Sequence, residues 1–229
     1  MIAFKLNPRQ AGDRPRPRKR PTLFRNLTAS QRAMVRWHGT TVDLLPGETT
    51  SPLSGPGFLF VDRGVLCEEI PEGCGSRVFA LVFSGELVPP ASRNTRGVTL
   101  RAVDHSRLIR CDAAVFQGLV RDIPQLRLNM IRAHQDHIEQ AVRGQIILGR
   151  KVASERVATI LADAWVRLGC AAEIPLGLSR DEMGQILGLA LETVSRQLRR
   201  LEMDGVVELR SRGAILLRDP QALFQRMGD

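Results

Sequence analysis

Residues 178–213, LSRDEMGQILGLALETVSRQLRRLEMDGVVELRSRG, constrain the fold more tightly than any other stretch, because caps, apolar spacing and charge describe one object. Ser179 lies three residues before Glu182, the spacing of a capping box in which each residue's side chain accepts from the other's orphan amide. A helix is therefore expected to start there. Met183, Ile186 and Leu187 share one face, and Gly188 follows as a residue free to take the left-handed conformation that ends helices. A turn over residues 188–190 leads to a second helix, in which Val194, Leu198 and Leu201 form the inward stripe until Gly205 stops it. Two short apolar runs, 206–209 and 214–217, flank the turn Arg210-Ser211-Arg212-Gly213 and make a small hairpin with a basic tip. Helix, turn, helix and hairpin in this order read as a winged helix-turn-helix.

The outward face of the second helix carries Glu192, Ser195, Arg196 and Arg199 at i, i+3, i+4 and i+7. An arginine makes bidentate bonds to guanine O6 and N7 in the major groove, and a carboxylate accepts from cytosine N4. Glu192, Ser195 and Arg196 are accordingly the expected base readers. Thr193, Arg199, Arg200 and Arg212 are placed for phosphates, which fix register without carrying sequence. Ala190 at the expected N-cap is a flaw, since a missing cap side chain costs about 1 kcal/mol.

Gly188-Leu189 followed by Glu192-Thr193-Val194-Ser195-Arg196 resembles the CRP/FNR superfamily of bacterial transcription regulators, and within it the FNR/FixK branch. The resemblance implies TTGAT half-sites arranged as a palindrome and Glu192, Ser195 and Arg196 on the bases. It also implies phosphate contacts for Ser179, Arg180 and Thr193. Residues 147–165, with Leu148-Gly149-Arg150-Lys151 and Glu155-Arg156-Val157-Ala158, resemble the hinge and following helix of the same branch. The expected partners are double-stranded DNA, a second copy of the chain and RNA polymerase.

At 229 residues the chain exceeds the usual single-domain size. Its net charge of +9 is less informative than its distribution, because residues 1–25 hold eight basic residues and one acid. Residues 1–22, which alternate Arg and Pro, are expected to be a disordered basic tail. Thr28 and Gln31 form another capping box before a helix over 27–37, with Leu27, Met34, Val35 and Trp37 inward. Six apolar runs between Thr40 and Cys111, separated by Gly and Pro corners, then signal an antiparallel β-domain over 23–121. Its corners resemble the cyclic-nucleotide-binding-like β-roll, a double-stranded β-helix, of the same superfamily.

Asp112 is expected to cap a short helix, and Pro124 to open a dimerisation helix over 122–148. Leu126, Met130, Ala133, His137, Ala141, Gly144 and Leu148 approximate a heptad seam along it, and because its small and polar members make a weak coiled coil, the same face is expected to pack on the β-roll as well. The DNA-binding domain takes 149–229, and the fold class is α+β. No apolar run reaches the ~18 residues of a membrane helix, so a soluble cytoplasmic protein is expected.

The effector is not legible. A cyclic nucleotide needs an acid for the ribose and an arginine plus hydroxyl for the phosphate; Glu86 and Arg96 lie near the matching places, but Gly97 replaces the serine. A family-type 4Fe-4S cluster needs three N-terminal thiolates, and no cysteine precedes Cys67. Cys111 matches the fourth ligand, while Cys67 and Cys74 are candidates to meet across a hairpin as a thiol switch. Haem would draw on His38 or His105. A cupin-like metalloenzyme needs clustered histidines, and the β-region offers only His105, so no enzyme and no confident metal site are expected.

Overall fold

The computed structural model describes residues 22–88, 90–91, 97–150, 152–210 and 213–228. The expected basic tail up to Pro21, Arg96 and Arg212 lie outside the described residues. Two compact units meet inside the long helix, one running to Val142 and the other starting at Arg143, rather than at the end of that helix.

The first unit begins with a one-turn 3-10 helix (Thr22–Phe24) and helix α1 (Ala29–His38), whose N-terminus carries the expected Thr28–Gln31 capping box. Strands β1 (Thr40–Leu44), β2 (Thr49–Thr50), β3 (Gly57–Arg63), β4 (Val65–Glu72), β5 (Gly75–Phe83), β6 (Leu87–Val88), β7 (Thr99–Ala102) and β8 (Ser106–Asp112) follow. They make two four-stranded antiparallel sheets, ordered β1-β8-β3-β6 and β2-β7-β4-β5. Helices α2 (Ala113–Asp122) and α3 (Pro124–Arg150) close the β-domain.

Strand β3 explains the layering. Successive side chains on a strand point to opposite faces. Phe58 and Phe60 enter a core shared with Leu23, Leu27, Val35, Leu119, Leu126 and Met130 from the helical segments. Leu59 and Val61 enter a second core with Leu66, Val82, Leu100 and Ala102 of the other sheet. At β3 the first sheet is thus the middle layer, buried on both faces, and this strand reads as a continuous apolar run.

Two sequence expectations are corrected here, on α1 and α2. Trp37 is 85% exposed and Met34 is also exposed, because only Val35 of α1 reaches the core. Asp112 occupies the N-cap of α2 without bonding it, its carboxylate being drawn to Arg110 instead. The two-residue strands β2 and β6 were too short to leave a pattern. On α3, Leu126, Met130 and Ala133 pack in the chain's own core, in line with the expectation that this face also packs on the β-domain, and Ala141 and Leu148 are exposed.

Candidate nucleic-acid interface

The second unit is built on helix α4 (Ala153–Arg167), which buries Val157, Ala158, Leu161, Ala162 and Ala164. Strand β9 (Glu173–Pro175), helices α5 (Arg180–Leu187) and α6 (Leu191–Met203), strands β10 (Val207–Leu209) and β11 (Ala214–Leu217), and helix α7 (Pro220–Gln225) complete it. Its sheet is ordered β10-β11-β9, so the expected hairpin gains a third strand that three residues could not announce. Trp165 of α4 meets Phe224 of α7 edge to face, with ring centroids 5.8 Å apart.

The turn geometry follows from the local sequence. Ser179 Oγ accepts from the Glu182 amide at 3.1 Å, and Glu182 accepts from the Ser179 amide at 2.6 Å. The Ser179 hydroxyl proton remains available for a phosphate oxygen. Gly188 ends α5 at φ 61°, ψ 42°. The Leu189 amide then donates to the Gly184 carbonyl at 2.9 Å, and a Cβ at Gly184 would stand 2.4 Å from the Leu189 carbonyl oxygen. Gly184 is therefore the residue that lets the turn close, a role its place inside an apolar pattern hid. Ala190 is the N-cap of α6 and makes no side-chain cap bond, as expected.

On α6, Val194, Leu198 and Leu201 are buried and set the rotation of the helix. Glu192, Arg196, Arg199 and Arg200 are exposed, with Ser195 and Thr193 half-buried beside them. Among the described residues, none of these four charged side chains has an ion-pair or hydrogen-bond partner. The arginines around them do: Arg210 and Arg218 pair with Glu208, and Arg226 with Asp204. Arg210, at the wing's basic turn, is thus partly neutralised, and Arg218 holds the Glu208 carboxyl below its usual range. Arg180 sits half-buried; desolvation lowers its guanidinium pKa against the opposing pull of Glu202, which leaves it less open to phosphate than Arg199. Glu202 also accepts from the Leu209 amide at 3.0 Å, tying α6 to the wing. Leu191, exposed at the first position of α6, was missed; an apolar group on a helix tip otherwise polar is the signal that marks it.

Among the described residues, the effector candidates do not assemble into a site. Glu86 turns back to accept from the Phe83 amide at 3.0 Å, closing its own corner. Cys67 is buried on β4 opposite Leu81 and Arg101, whereas Cys74 is exposed at the far tip of the β4–β5 hairpin, so the ladder holds them apart. Cys111 is buried, and desolvation followed by the Asp112 charge pushes its thiol up to about 11. His38 and His105 are both exposed, at the end of α1 and in the β7–β8 turn. Among the described residues, no three His, Cys, Asp or Glu side chains converge for a metal ion. Sequence reading also missed the cross-strand pair of Glu69 and Arg101, 2.5 Å apart with Glu69 buried.

Residues 155–226 match the Crp-like helix-turn-helix domain. The transcriptional activator protein FnrL of Cereibacter sphaeroides is 33% identical over 214 residues, covering 90% of this chain and 81% of FnrL. The nitrogen fixation regulation protein FixK of Azorhizobium caulinodans is 35% identical over 127 residues, so that match spans about half of each, 53% of this chain and 51% of FixK. In fold, FixK2 from Bradyrhizobium japonicum superposes with a TM-score of 0.70 over 83% of this chain and 98% of that one, at 24% identity. The match to FnrL over most of both chains, together with the Crp-like helix-turn-helix domain, places this chain in the CRP/FNR family of DNA-binding transcription regulators, in the FNR/FixK branch.

Proposed function

We propose that the chain acts as a homodimer that activates transcription at a TTGAT-type palindrome, with Glu192, Ser195 and Arg196 on base edges. The observation that carries this reading is the unpaired outer face of α6. Three guanidiniums and a carboxylate without partners among the described residues are expensive to desolvate unless a complementary surface receives them. A TTGAT half-site holds one G·C pair, which offers O6 and N7 to Arg196 and N4 to Glu192 one turn away. Leu191 would lie against a thymine methyl group, and Ser179, Thr193, Arg199 and Arg200 against phosphates. We also assign Arg212 to the phosphates, and Arg180 with them in spite of its partial burial.

A two-fold axis is needed to set two reading helices one DNA turn, about 34 Å, apart. Helix α3 supports it from the face opposite the expected seam. Leu128, Ile131, Ile138 and Val142 recur at heptad-compatible spacing and are all exposed, 61% in the case of Ile138. We place the dimer contact on this stripe, while Leu126, Met130 and Ala133 hold the helix to its own β-domain. RNA polymerase is the expected further partner, a cytoplasmic setting follows from the role, and no catalysis is part of it. Cys67, Cys74 and Cys111 give little support to a thiol switch.

The test is a binding titration of purified protein on a TTGAT palindrome and on a scrambled duplex of equal composition at fixed salt. Specific regulators separate the two by about 10³-fold or more. Equal affinity for both would refute the reading.

A further inference from the structure

Three chain segments in the second unit converge on one guanidinium. Arg156, at the fourth position of α4, donates from Nη1 to the Leu187 carbonyl at 3.0 Å and from Nη2 to the Leu148 carbonyl at 2.7 Å. Leu187 is the last residue of α5 and Leu148 lies in the last turn of α3. Both carbonyls belong to the group that a helix leaves without internal partners, at the negative end of its dipole. The same corner brings the Leu148 side chain to the turn before α6: a Cβ at Gly188 would lie 3.5 Å from Leu148 Cδ2 and 3.6 Å from Arg156 Nη1.

We propose that Arg156 is a positioning residue for DNA readout: by bridging the carbonyl ends of α3 and α5 it fixes the recognition helix against the end of the dimerisation helix and so sets the half-site spacing the dimer accepts. The proposal rests on the dimeric, palindromic reading above. A planar guanidinium presents two donors in a fixed fork, whereas a lysine ammonium is one point on a flexible stem and cannot hold both carbonyls in that geometry. Arg156 touches neither base nor phosphate in this scheme. Its effect is on where the reading face stands.

The experiment compares the full-length protein with Arg156→Lys and Arg156→Met on four duplexes: a TTGAT palindrome, the same palindrome with one base pair inserted or removed at its centre, and a single half-site. One base pair rotates the half-sites by about 35°. The unsubstituted protein is expected to prefer the original spacing by about tenfold or more, a coupling of ordinary size. Arg156→Met should bring the three palindromes to within about threefold of one another while half-site binding changes by less than about threefold, and Arg156→Lys should fall between. A spacing preference kept in both variants would overturn the proposal. So would an equal loss on all four duplexes with a lower unfolding midpoint, which is what plain support of the fold gives. Indifference of the unsubstituted protein to spacing would instead refute the dimeric reading, before any variant is compared.

Discussion

Gly188 offers a perturbation whose size can be worked out in advance. Its φ of 61° lies in the left-handed region, and a Cβ there would meet Leu148 Cδ2 at 3.5 Å and Arg156 Nη1 at 3.6 Å, both ordinary contact distances. Replacement by alanine therefore carries a conformational cost with no steric one. Holding an L-residue in this region costs about 1–2 kcal/mol, and the narrower unfolded ensemble of alanine returns about 0.4–1 kcal/mol. Gly188→Ala should lose about 0.5–1.5 kcal/mol net, Gly188→Asn less because asparagine tolerates the conformation, and Gly188→Val most. The chain has two tryptophans, and the exposed Trp37 changes little on unfolding, so Trp165 against Phe224 reports the second unit. In a Trp37→Phe background, urea titrations followed by fluorescence should show the alanine midpoint lowered by about 0.3–1.5 M at an m of roughly 1–2 kcal/mol/M. An alanine variant as stable as the parent, or asparagine costing more than valine, would refute the reasoning.

Thr159 is buried in α4 with no partner for its hydroxyl among the described residues, and an unmet buried hydroxyl costs about 1–3 kcal/mol. Thr159→Val keeps the shape and should raise stability by about 1 kcal/mol in the same titration; a loss would mean the hydroxyl is satisfied after all. A Cys111 thiol near 11 instead of 9.0 holds roughly a hundredfold less thiolate at neutral pH. Alkylation mapped by mass spectrometry should therefore label the exposed Cys74 first and Cys111 far more slowly, with the Cys111 rate climbing as pH rises toward 11; comparable rates at neutral pH would contradict its burial. Arg199→Ala should weaken binding to all duplexes alike and reduce the slope of log K against log salt by about 1, and a sequence-selective loss would move it from phosphate to base.

Much of the reading helix and its turn was visible in the chain because the forces that shape them are local. Ser179 with Glu182, Thr28 with Gln31, and Gly188 act within three or four residues, and each appears as expected. Helix α3 was harder for a definite reason. It has two apolar stripes on opposite faces, Leu126-Met130-Ala133 and Leu128-Ile131-Ile138-Val142, and heptad spacing fits both. Only the β-domain's own core decides which is already covered. Arg156 left no trace because it bonds backbone carbonyls distant in sequence, and no side-chain pattern marks a carbonyl. Cys67 and Cys74 looked adjacent on a hairpin whose register had first to be known; the ladder runs on beyond Cys67 to Glu72 opposite Gly75, which puts Cys74 in the turn.

The central claim is that Arg196 on the exposed face of α6 reads a base edge. Binding of Arg196→Ala and the parent protein should be measured on a TTGAT palindrome and on a set of duplexes substituted one position at a time. The account predicts a loss of about 1–3 kcal/mol on the cognate duplex and relaxed discrimination at a single position, with non-specific binding little changed. An equal loss on random and cognate DNA, with discrimination intact at every position, would contradict it.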